Sequence, residues 1–263
     1  NNSTATNISE LLQQIAGLDV RRRGIEGMQA DLYIRGGSFD QTLLLIDGIK
    51  VEDPQTGHHT MNMTLPLEVI EKIEIVKGAA SRMYGQNAFT GAVNIITKKN
   101  IENNISFGLA GGSFDQKRGN ITIQKEYENS NILVNYNRKE SEGYRYNTDF
   151  KNDELFLKSN FKIKNQKITG IAAFNDRKFG ANGFYASPEA IDQYEETQAS
   201  IVGFSTIYEN NNVLIKPKLY WKRNQDMYVY LRQDPSVYRN LHISNKVGIE
   251  VNALLNNKFG MLG

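Results

Sequence analysis

The sequence predicts two parts: an α+β unit over residues 1–100, and the first strands of a large antiparallel membrane β-barrel over residues 101–263. Three observations carry this reading. Up to Lys98 the chain mixes short apolar runs with glycine-punctuated turns and one helical stretch. Beyond Asn100 it changes to long segments in which apolar and polar residues alternate at period two. The connections between those segments are short on one side and long on the other, as in barrels that cross a membrane.

Composition bounds the rest. The chain has 31 basic and 29 acidic side chains, a net charge of +2, which does not suit a nucleic-acid binder. It has no cysteine, so disulfides and thiolate metal sites are excluded. Mean hydropathy is −0.50, and no run of about 18 apolar residues exists to make a spanning helix. Barrel strands escape that criterion, because only every second residue must be apolar. No charged-then-apolar leader precedes Asn1, so an export signal is expected to have been removed or not included.

In the first part, Asn7 is a good N-cap with Glu10 three residues on to return the bond. Ile8, Leu11, Leu12 and Ile15 then share a helical face, and Gly17 closes the helix. An extended piece begins at Leu18, followed by Arg21, Arg22 and Arg23, which either bind an anion or form a solvated surface; the second is favoured. Leu32–Ile34 and Leu43–Ile46 read as strands joined by a turn over residues 36–40. Asp47-Gly48 ends the second strand or makes a type I′ hairpin. Pro66 with Val69 and Ile70 suggests one or two helical turns before a strand at Lys72. Ile73, Ile75 and Lys77 alternate with Glu74, Val76 and Gly78, and Ala92–Thr97 is apolar and β-branched enough for a buried strand.

Residues 50–64 form a long loop holding Pro54, Gly57, His58, His59, Met61 and Met63. Imidazoles and thioethers close together suit a soft metal or an iron porphyrin. Packing of the methionines on their neighbours is favoured, because adjacent histidines do not easily face one metal; no metal and no cofactor is expected.

In the second part, about eight strands follow the alternating pattern between Ile105 and Asn256. Ile132, Val134 and Tyr136 oppose Leu133, Asn135 and Asn137; Val213, Ile215, Leu219 and Trp221 oppose Lys216, Lys218 and Lys222. Aromatics such as Tyr127, Phe174, Tyr208 and Trp221 gather near strand ends, as in interfacial girdles. Residues 139–152, 177–196 and 225–242 read as long loops. A barrel of about eight strands is filled by its own side chains, whereas plugged barrels have about 22. The chain is therefore expected to supply about a third of such a wall, with residues 259–263 as a turn and no closing strand.

Four ordered blocks carry a resemblance: Leu32-Tyr33-Ile34-Arg35-Gly36-Gly37, Leu43-Leu44-Leu45-Ile46-Asp47-Gly48-Ile49, the strand at Ile73–Lys77 with its glycine turn, and Ala92–Thr97. Over residues 8–98 the chain resembles the plug domain of TonB-dependent outer-membrane receptors. The resemblance implies an α+β plug in the lumen of a membrane β-barrel, located in the outer membrane of a Gram-negative bacterium. It implies outer-membrane lipid around the wall, a TonB-type energy-coupling partner in the inner membrane, and a large ligand such as an iron-siderophore, haem or cobalamin. Arg35 and Arg82 match family arginines that face the wall, where carboxylates are expected to pair them; Glu71 and Glu74 are further partners within the plug. Substrate contacts are expected at the plug apices: Phe39, Asp40 and Gln41; Gln55, His58, His59, Met61 and Met63; and Tyr84, Gln86 and Asn87. The short TonB-contacting motif has no convincing copy in residues 1–7.

No nucleophile elbow, metal-binding His-Glu pair or phosphate loop is present, so an enzyme is not expected. The alternative to a transport receptor is an adhesion or interaction protein on an outer-membrane or soluble β scaffold.

Overall fold

The computed structural model describes residues 3–53, 57–63, 65–163, 166–210, 212–257 and 260–262. Helix α1 (Ile8–Gln13) starts at Asn7, whose side chain accepts the Glu10 N–H at 3.0 Å. The return bond goes one residue further back than expected: Glu10 accepts the Thr6 N–H at 2.8 Å. Strands β1 (Leu18–Arg23) and β2 (Gln29–Ile34) form an antiparallel pair in which the arginine run is strand. The charges do not oppose this, because the strand is solvated on one side. Arg21 lies over the Tyr33 ring at 4.3 Å and pairs with Asp19, and Arg22 reaches Glu10 at 2.9 Å.

A second sheet has the order β4-β3-β6-β5, with β3 (Thr42–Ile46), β4 (Ile49–Lys50), β5 (Ile70–Lys77) and β6 (Gly91–Thr97). β3 runs parallel to β6, and the other two pairings are antiparallel. The two strands expected to share a turn at residues 36–40 therefore sit in different sheets. Asp47 (φ 47°) and Gly48 (φ 76°) are both left-handed and join β3 to β4, the type I′ geometry. Short helix α2 (Ser81–Tyr84) lies in the β5–β6 connection. Leu44, Ile46, Val93 and Ile95 pack with Leu32, Ile34 and the helix residues Ile8 and Leu12.

From Asn104 onward the described residues form one antiparallel meander of nine strands: β7 (Asn104–Gly112), β8 (Gln116–Glu126), β9 (Ser130–Ser141), β10 (Phe150–Ile163), β11 (Gln166–Gly180), β12 (Tyr194–Glu209), β13 (Val213–Val229), β14 (Arg239–Asn257) and β15 (Gly260–Leu262). Gly260–Leu262 pair with Leu255–Asn257, so a short ninth strand stands where a terminal turn was expected. The long connections are 142–149, 181–193 and 230–238, shorter than predicted, because the strands continue above the apolar zone. Cross-strand ion pairs hold those extensions, among them Arg138 with Asp153 at 3.3 Å and Lys178 with Glu196 at 3.8 Å.

One face of this sheet is apolar and open. Phe107 is 81% and Ile249 75% exposed, a pattern fit for lipid and not for water. Tyr136, Phe174 and Trp221 lie on this face, and the next outward residues are Arg138, Asp176 and Arg223. The opposite face is covered by the first hundred residues. Leu133, Phe156, Ile171, Ala173 and Ile201 of the wall are buried in the same core as β3 and β6.

Candidate functional site

The chemistry of this molecule is concentrated where the N-terminal unit meets the wall. Each wall strand alternates, so every second residue of β8 to β14 points at that unit. At those positions stand cations, and they meet carboxylates and backbone carbonyls of the unit.

Lys158 on β10 donates to Asp47 Oδ2 at 3.1 Å and to Thr97 Oγ1 at 2.7 Å. Asp47 in turn accepts the Thr97 N–H at 2.9 Å and its hydroxyl at 2.6 Å. The type I′ turn makes this reach possible, since it turns the Asp47 carboxylate back onto the end of β6. Its next residue, Gly48, donates its N–H to Asn94 at 2.9 Å.

Lys139 on β9 pairs with Glu26 at 3.1 Å and donates to the Thr6 carbonyl at 2.9 Å. Both side chains are almost fully enclosed, 6% and 8% exposed. Arg118 on β8 pairs with Glu68 at 2.5 Å, and Asn120 supports it at 3.3 Å. Arg177 on β11 is buried and donates to the carbonyls of Met28 and Met61 at 2.9 and 3.3 Å. Lys222 on β13 donates to the carbonyls of Val51 and Glu52, and Lys246 on β14 pairs with the Glu52 carboxylate. Asp53 accepts from Asn224 and from Ser244.

Enclosed charges of this kind are costly unless both partners are present. The two parts are therefore fitted to each other, and neither is complete alone. In these contacts the wall supplies the cations and the N-terminal unit the carboxylates, whereas Lys50 of the unit pairs with Glu250 of the wall at 3.8 Å in the opposite sense.

The predicted residues fall as follows. Arg35 is exposed, in left-handed backbone (φ 51°), on a surface of the unit that the described wall does not cover. Arg82 lies in α2, and its side chain is outside the described set. Glu71 accepts the Lys99 N–H at 2.9 Å, and Glu74 pairs with Lys72 at 2.6 Å. The Lys72 ammonium holds the Glu74 carboxyl below its usual range. Phe39 is half-buried, edge-on to Tyr33, and Asp40 and Gln41 are exposed. Gln55 lies outside the described residues, as do the side chains of His58 and His59. Met61 and Met63 are buried in the core, the packing role favoured from sequence. Tyr84 packs beside Leu43, Ala80 and Ala88; Gln86 is exposed; Asn87 donates to Glu52 at 2.7 Å. The structure thus joins Asn87 to the loop carrying Glu52 and Asp53, and sets the turn at Phe39–Gln41 beside residues 57–62 of the same loop. Asp47, Glu26, Glu52 and Glu68 were not singled out from sequence as contacts. The lysines at period-two positions of the polar strand face were the only signal.

A β-sheet with an apolar outer face, its inner face occupied by a folded unit held through ion pairs, defines a plugged outer-membrane barrel. Residues 1–92 match the family model of the TonB-dependent Receptor Plug Domain. A Vibrio vulnificus (strain CMCP6) protein named vitamin B12 transporter BtuB is 28% identical over 179 residues, which is 67% of this chain and 28% of that protein. Its namesake in Vibrio cholerae serotype O1 (strain El Tor Inaba N16961) is 37% identical over 120 residues, 44% of this chain and 19% of that protein. The crystal structure of the unliganded ferric citrate transporter FecA superposes with a TM-score of 0.75 at 17% identity, covering 96% of this chain and 42% of that one. Residues 1–92 carry the plug domain of the TonB-dependent outer-membrane receptors, and the strands that follow have the fold of their barrel wall. The chain spans less than half the length of each of these proteins.

Proposed function

We propose that the receptor to which this chain belongs takes up a scarce, large nutrient across the outer membrane, with a TonB-type inner-membrane protein supplying the energy. The observation that carries the reading is the plug seated on the lumenal face, held by separable ion pairs and not by an apolar core alone. Such contacts close the path at rest and release in steps when the plug is pulled. In this reading residues 1–100 are the stopper and 101–263 the first part of the wall. Arg35, Arg82, Glu71 and Glu74 lock and gate the surface that faces the rest of the wall. Phe39, Asp40, Gln41, Gln55, His58, His59, Tyr84, Gln86 and Asn87 lie at or near the ligand.

The relatives named vitamin B12 transporters make cobalamin the first nutrient to test, with iron-siderophores and haem next. The experiment is growth of a deletion strain on single cobalamin and iron sources, with direct binding to the full-length receptor. Loss of growth on one source, restored by the gene, supports the reading; unchanged growth on all of them with no binding rejects it. Replacing His58 and His59 together removes binding of haem alone if these imidazoles hold an iron porphyrin.

A further inference from the structure

Below the Asp47–Lys158 contact lies a cavity of about 400 Å³ between the plug and the short-turn end of β10 to β13. Five lysines line it: Lys99 from the plug side, and Lys158, Lys167, Lys216 and Lys218 from the wall. Asp47 is the single carboxylate among its described lining residues. Lys158 forms the buried floor and Lys218 donates to the Gly48 carbonyl at 3.1 Å, while Lys99, Lys167 and Lys216 stand exposed at the rim. The hydroxyl of Ser205 adds a neutral donor.

We propose that this cavity binds an oxyanion, a phosphate group or carboxylates borne by the nutrient in passage. The identity of the passenger rests on the transport reading; the chemistry of the cavity does not. Cations crowded between two low-dielectric walls focus their field on the space between them. An oxyanion there gains several charge-assisted hydrogen bonds at once, which are shorter and stronger than neutral ones. The volume matters too. Drug-sized ligands occupy cavities of roughly 300–1,000 Å³, so this one takes the anionic part of a large nutrient and not the whole. Its floor is also a plug contact. An oxyanion competing for Lys158 loosens that lysine's hold on Asp47, which couples occupancy to the seating of the plug.

The test uses the full-length receptor in detergent, titrated calorimetrically with inorganic phosphate against chloride at equal ionic strength. The comparison variant is K167Q/K216Q, at two rim positions outside the plug–wall contacts described above. Phosphate is expected to bind the parent at least tenfold more tightly than the variant, with heat-modifiable migration on gels unchanged. In cells, the variant is expected to keep surface binding of cyanocobalamin and to lose at least half its uptake rate. Equal phosphate affinity in the two proteins overturns the proposal. Phosphate selectivity with unchanged uptake also overturns it, by assigning the cavity to free phosphate. A parent that takes up no cobalamin rejects the nutrient assignment alone, and the calorimetry still decides the cavity.

Discussion

Lys158, in the middle of a wall strand, meets Asp47, in a tight turn of the plug, at 3.1 Å across 111 residues of sequence. The Lys158 side chain is 4% exposed, so its charge depends on Asp47 more than on water. This contact ties the exit strand of the plug, through Thr97, to the wall that follows it.

Removing one partner of such an enclosed pair costs about 3–5 kcal/mol, because the other charge stays buried. Lys158→Met and Asp47→Asn are each expected to destabilise the folded receptor by that order. The double variant is expected to lose less than the sum, with a coupling of about 0.5–3 kcal/mol. Urea unfolding in detergent measures it; strictly additive losses contradict a direct interaction.

Gly48 is held at φ 76°, and a Cβ there would collide with the Lys218 ammonium. Gly48→Ala is expected to cost about 1–2 kcal/mol from the left-handed backbone alone, more with the displaced lysine. Gly36, also left-handed (φ 76°) but with open space around it, is the control. Melting temperatures of the two variants separate backbone strain from the plug–wall contact.

The outward face of β14 is assigned to lipid. Ile249→Arg is expected to destabilise insertion by about 2–4 kcal/mol, the cost of a cation near the midplane of a barrel wall. The same change at Leu255, outward near the end of the strand, is expected to cost about 0–1 kcal/mol. Folding yields into phospholipid vesicles read the difference.

Glu10 illustrates how pH acts on the plug. Burial raises its carboxyl pKa, but hydrogen bonds from Thr6 and pairing with Arg22 outweigh it and hold it below its ordinary value of 4.5. A depressed carboxyl stabilises the fold above its unfolded pKa, and the gain is lost as pH falls through the folded value. Protection of residues 6–13 against hydrogen exchange, taken relative to the intrinsic rate at each pH, is therefore expected to fall below about pH 4.5 in the parent. Glu10→Gln is expected to show the lower protection already at pH 7, with little further change on acidification.

Much of the architecture was legible because it is written in period. The switch near Asn100 from mixed segments to long alternating ones gave the wall, and the glycine-spaced blocks gave β5 and β6. Strand partners were not legible. Leu32–Ile34 and Leu43–Ile46 are near in sequence, yet β2 pairs back to the arginine run, since pairing is decided by which apolar faces can be buried together. The upper ends of the wall strands were read as loops because their outward residues are charged. Only the cross-strand partners, distant in sequence, turn Lys178 and Glu196 into strand residues. The site was the least legible part. Lys218 and Lys222 were placed on the polar face of their strand, but a polar face predicts water as readily as a plug. Which carboxylate each lysine meets depends on how two folded parts dock, and one-dimensional spacing carries no trace of that.

The most direct measurement of the central claim is a tether between plug and wall. The chain has no native cysteine, so Asp47→Cys with Lys158→Cys places two unique thiols in it. A short, reductant-cleavable thiosulfonate linker is applied to cells carrying the full-length receptor. The account predicts that the thiols join, that uptake of the transported nutrient stops while surface binding persists, and that reductant restores uptake. Thiols that never join, or uptake that continues with the tether in place, contradict it.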